Sequence, residues 1–125
     1  MGSIPLTGER LILQRDIVLI SFPFSDFGTT KVRPAVALSR DGYNRRSEDF
    51  IAVPLTSNLK LRDYALLITN GDLESGKLVV DSKAKVDRVF SVSQSLVRMK
   101  VGRVKVETHQ KMVRILVGLV GATKR

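Results

Sequence analysis

The 125-residue sequence predicts a mainly β (α+β) chain, a small barrel closed by a C-terminal α-helix. Three observations lead there. Apolar runs are short and recur at regular intervals, as strands do. Gly, Pro and Asn clusters separate them, as turns do. Near residue 105 the apolar period changes from two to helical spacing.

Ile17 to Phe22 is a nearly continuous apolar run, which predicts a well-buried strand. A turn-rich loop, PFSDFGTT, follows it. Lys31-Val32-Arg33-Pro34 then leads into the second strand, Pro34 to Ser39. A Pro at a strand start need not donate to the ladder. Arg40 to Asp49 is polar and reads as a second mobile loop. Phe50 to Leu55 is the third strand and runs into Thr56-Ser57-Asn58. Tyr64 to Thr69 is the fourth, closed by the turn residues Asn70-Gly71-Asp72. Leu78 to Asp81 and Ala84 to Val92 follow as further strands, with Ala84, Val86, Phe90 and Val92 sharing one face at period two. Ser93 to Arg103 holds a short helix or turn and a last strand, MKVGRV. The final helix carries Val106, Val113, Leu116, Val117 and Val120, widened by Met112 and Leu119, with Gly121 as its C-cap. No repeat or linker divides the chain, so residues 15–125 read as one domain after an N-terminal extension, 1–14.

Charge is the strongest global signal. Lys plus Arg number 21 against 12 acids, a net charge of +9. The cations are spread through loops and strand ends, which fits a folded basic face and a polyanionic partner. Five Phe, two Tyr and no Trp support no extensive base-stacking platform. Cys is absent, which removes disulfides and thiolate chemistry and suits a reducing cytoplasm. No apolar run approaches the roughly 20 residues of a membrane span. The first 14 residues lack the basic and long apolar regions of a signal peptide.

A single histidine, His109, leaves no histidine pair to cleave RNA and reads as a surface helix residue. The acids show no metal-ligand spacing, so neither metal nor cofactor is expected. What remains is Arg33 with Thr56 and Ser57, all at strand-loop junctions. Each has an ordinary explanation: a solvated cation at a turn, and a turn-capping hydroxyl. Together on a basic β-rich chain they fit phosphate chemistry. RNA carries its own nucleophile, the 2′-OH, so a cleavage site must mainly align the phosphate and stabilise added negative charge. A guanidinium fork matches phosphate oxygens, and a hydroxyl can bond one of them. Because a guanidinium gives up its proton so reluctantly, Arg is a charge stabiliser before it is a proton donor.

The order of the segments RDIVLISFPF, KVRPAVALS, FIAVPLTSN and DRVFSV, followed by an apolar helix, resembles the MazF/PemK family of toxins. The resemblance runs from about Arg15 to Gly121. It implies an SH3-like barrel and a metal-independent, ribosome-independent endoribonuclease. Such an enzyme cuts single-stranded RNA at a short sequence, leaving a 2′,3′-cyclic phosphate and a 5′-hydroxyl. It places the catalytic pair on Arg33 and Thr56, with Ser57 as neighbour. Lys31, Asn58 and Arg88, with Ser57, are read as supporting or RNA-binding residues. It also implies a homodimer and a cognate antitoxin lying in the RNA groove. Two departures stand out. Arg15 sits where the family commonly has Gly, and VFSVS at 89–93 lacks the Arg and Asp that several members carry there. Two other functions remain open on such a fold: a CcdB-like gyrase inhibitor and a basic module that only binds nucleic acid.

Overall fold

A computed structural model describes residues 11–23, 30–61 and 63–124. Eight strands and two helices follow in order: β1 Asp16–Pro23, β2 Thr30–Ala37, α1 Asp41–Arg46, β3 Asp49–Thr56, β4 Ala65–Ile68, β5 Leu73–Gly76, β6 Ser82–Lys85, β7 Phe90–Ser93, β8 Val97–Val104 and α2 Val106–Val120. All pairings are antiparallel, in the order β4-β6-β3-β2-β1-β8-β5, with β7 also on β3. The sheet curls into a half-barrel, as the sequence predicts. Register shifts where β1 meets β8 bend it. Among the described residues no helix is long and apolar enough to cross a membrane.

Both faces of the sheet are covered, which explains the unbroken apolar runs. Ile17, Val36, Val53 and Leu55 face one core, where Met112 of α2 seals them. Val18, Ile20, Ala35, Phe50 and Ala52 face a second core with Ile12 and Val92. Adjacent residues such as Val18 and Ile17, or Ala52 and Val53, are therefore both buried on opposite sides. Each large side chain so buried contributes about 1.5–3 kcal/mol. Leu11 and Ile12, read as part of an N-terminal extension, are packed into the body. The first ten residues of that extension lie outside the described residues.

Several elements differ from the sequence reading. Pro34 lies inside β2, opposite Leu19 of β1, because the strand begins four residues earlier, at Thr30. Its β3 ladder begins only at Ala35↔Pro54, so the missing N–H falls at a ladder end. Arg40 to Asp49 is no mobile loop: it contains α1, pinned by Asn44 at 0% exposure. Asn44 Nδ2 donates to the carbonyls of Ile12 (2.9 Å) and Ser39 (3.2 Å), and Ser39 Oγ donates to Asn44 Oδ1 (2.5 Å). Leu78 to Asp81 is not a strand. Asn70 binds both the N–H and the carbonyl of Leu78, which holds it outside any ladder, and Val79 is fully exposed.

Ala84 to Val92 is two strands, not one. A 3-10 turn at Val86–Arg88 carries the chain from β6 to β7. Ala84 and Val86 enter the first core, while Val92 enters the second, against which Phe90 packs. On α2 the apolar side chains packed on the core are Met112 with Val113, Ile115 and Leu116, whereas Val117 (57% exposed) and Val120 (72%) point away from this chain. Gly121 caps the helix by donating to Val117 O at 2.7 Å. His109 is half-buried, not a free surface residue: its Nε2–H donates to Leu38 O at 3.1 Å and ties α2 to the end of β2.

Candidate active site

β2 presents its residues alternately to the two cores. Ala35 and Ala37 face the Phe50 side. Arg33, two residues earlier, projects on that same side, opposite Ile20 of β1. Arg33 is exposed there. It borders a pocket of about 190 Å³. Ala35, Pro34, Pro54 and Leu55 form the floor, and Phe22 and Phe90 form an apolar wall. The two rings lie 5.9 Å apart between centroids, tilted by 42°. The second cation on the pocket is Lys85 of β6.

Thr56 ends β3, one residue beyond Leu55 of the pocket floor. The β2/β3 register, Ala35↔Pro54, carried two residues on, sets Thr56 in line with Arg33. On its other side Thr56 pairs with Lys83. Thr56 Oγ1 accepts from the Asn58 N–H at 3.1 Å. A hydroxyl has one hydrogen to give and two lone pairs, so this bond leaves the Thr56 proton available to a ligand.

The other sequence candidates divide. Lys31 stands on the Arg33 side of β2, opposite Phe22. Ser57 is exposed in the turn after β3, and Asn58 shapes that turn by accepting from the Lys60 N–H at 3.1 Å. Arg88 is exposed on the 3-10 turn and does not line the pocket. Phe90, in the VFSVS segment, gives the pocket an aromatic ring. Lys85 is the residue that sequence reasoning missed. Its signal was the alternation in Ser82-Lys83-Ala84-Lys85, where Ser82 and Ala84 go in and the lysines come out.

Asp16, nearly buried, holds Lys100 at 3.1 Å and Arg103 at 3.7 Å, and Glu74 holds Arg15 at 3.1 Å. Among the described residues neither Arg33 nor Lys85 is paired with a carboxylate. No three His, Cys, Asp or Glu of those residues gather as a metal-ligand set. The arrangement is a positive, apolar-walled recess with a hydroxyl at its edge, suited to an oxyanion.

The model of the PemK-like, MazF-like toxins of type II toxin-antitoxin systems matches residues 13–119. No curated protein sequence matches significantly. Among solved structures, a MazE-MazF complex (form II) from Deinococcus radiodurans superposes with a TM-score of 0.74 at 20% identity, covering 90% of this chain and 98% of that one. Mycobacterium tuberculosis toxin MazF-mt6 gives 0.69 at 13% identity, covering 88% and 100%. An endoribonuclease in complex with its cognate antitoxin, from a mycobacterial species, gives 0.65 at 17%, covering 92% and 98%. With a half-barrel of this topology and a family match over nearly its whole length, the chain belongs to the PemK-like, MazF-like toxins of type II toxin-antitoxin systems.

Proposed function

We propose that this toxin is a metal-independent, sequence-specific endoribonuclease that cuts single-stranded RNA, messenger RNA above all. The observation that carries the reading is Arg33 at the mouth of a recess, with no carboxylate partner among the described residues and two residues past the Ala35↔Pro54 pair, as Thr56 is. In the reaction, the RNA 2′-oxygen attacks phosphorus and loses its proton. The bond from phosphorus to the 5′-oxygen breaks, and that oxygen gains a proton. The products are a 2′,3′-cyclic phosphate and a 5′-hydroxyl. Arg33 clamps the non-bridging oxygens and offsets the charge that builds on them. The Thr56 hydroxyl donates to one of those oxygens or orients the ribose, while the Asn58 N–H fixes its oxygen. Lys31, Ser57 and Asn58 border the strand path. A cognate antitoxin segment, acidic or disordered, covers the same cations, and the working unit is a cytoplasmic homodimer.

The test is purified protein incubated with a long single-stranded RNA in EDTA, the cuts mapped by primer extension. Cuts at one short motif are expected. Arg33→Ala is expected to lower cleavage by at least about 10³-fold with the fold retained, as loss of a main transition-state charge does. RNA that is bound but left intact by the wild type would overturn the nuclease reading in favour of a binding module. Inhibition of gyrase supercoiling without RNA cuts would turn it toward a gyrase inhibitor.

A further inference from the structure

We propose that Lys85 is a phosphate-binding residue of the same recess, so that one RNA phosphodiester is held between a guanidinium on β2 and an ammonium on β6. The inference rests on the nuclease reading for its substrate, and on the pocket geometry for its residue.

The two cations reach one recess from strands that are not neighbours. Leu55 pairs with Ala84, so Lys85 follows in line with Pro54, and Pro54 in turn pairs with Ala35. The ladder thus sets Lys85 on one flank of β3 and Arg33 on the other, with Pro54 as the floor between them. Lys83, two residues earlier on the same side of β6, is already engaged: its ammonium donates to Leu61 O at 2.5 Å and holds the segment after β3. Among the described residues Lys85 makes no such bond and no acidic residue lines the pocket. Two like charges beside an apolar wall repel each other, and a phosphate between them removes that repulsion.

Size points the same way. At about 190 Å³ the recess is smaller than the roughly 300 Å³ at which drug-sized ligand pockets begin. It fits a phosphodiester link and leaves the bases outside. Arg33 supplies a planar fork and Lys85 a mobile point charge, which can follow the extra negative charge as the 2′-oxygen closes on phosphorus.

The experiment measures binding of a short 2′-O-methyl RNA, which cannot be cut, as a function of salt. Each phosphate contact on a single strand contributes about 0.7 to the slope of log K against log salt. Lys85→Met, which keeps the aliphatic stem and should keep the melting temperature, is expected to lower the slope by that amount. Lys85→Arg is expected to restore it. Lys111→Met, on α2, which packs on the opposite core, is expected to leave it unchanged. An unaltered slope in a folded Lys85→Met would overturn the inference, even with the wild type cutting RNA normally. A slope that falls in a protein that never cuts RNA would keep Lys85 and remove the nuclease reading.

Discussion

At Thr56 one oxygen has two tasks. It accepts from the Asn58 N–H and so closes the turn after β3, and its proton remains free for a ligand. Thr56→Ser keeps both and is expected to hold RNA cleavage within about tenfold of wild type. Thr56→Val keeps the branched shape but loses the donor, and is expected to lower the single-turnover rate by about 10²-fold, the scale of one oxyanion donor. Equal rates for Val and Thr would remove the hydroxyl from the mechanism. Arg15 shows the opposite relation of residue to backbone. Its φ of 80° lies in the left-handed region, which favours Gly. Here the strain is offset by the guanidinium, which donates to Val104 O at 2.9 Å and to Glu74 at 3.1 Å.

Among the elements, α1 is the one whose sequence gives least warning. Its residues, DGYNRR, are turn-formers by composition. The segment is helical because Asn44 reaches inward to carbonyls that β strands leave free, and because Gln94 Nε2 donates to Asn44 O at 2.7 Å from the other side. Asn44→Ala is expected to cost about 3 kcal/mol in urea unfolding, since it strands several buried polar groups at once. A loss below about 1 kcal/mol would mean that water replaces the side chain. The β6-turn-β7 segment teaches a related lesson. Period two across Ala84, Val86, Phe90 and Val92 is real, yet the 3-10 turn sends its halves to different cores. Only that break brings Lys85 and Phe90 to one recess.

For the molecule as a whole, the sheet joins the ends of the chain. β1 pairs with β8, Asp16 against Arg103, and both cores are built on the same central strands. Pairings so distant in sequence must pay loop-closure entropy before they are rewarded. Folding of dilute protein followed by stopped-flow fluorescence or circular dichroism is therefore expected on the millisecond-to-second scale. A microsecond phase that recovers the full signal would contradict a transition state needing β1 and β8 together. Over that frame the surplus of nine positive charges gives a polyanion its long-range attraction.

The sequence by itself determined the class of fold, most strand positions, the late helix and the placement of Thr56 at a strand end; Arg33, expected at a strand-loop junction, lies inside β2 instead. These follow from local rules: alternation, turn chemistry, and the change of period near residue 105. Tertiary structure alone decided the rest. Pro34 became interior because β1 supplies a partner for the residues before it. His109 became half-buried because β2 ends beneath α2. Lys85 joined Arg33 because two strands flank β3, a relation between segments some fifty residues apart that no local pattern encodes.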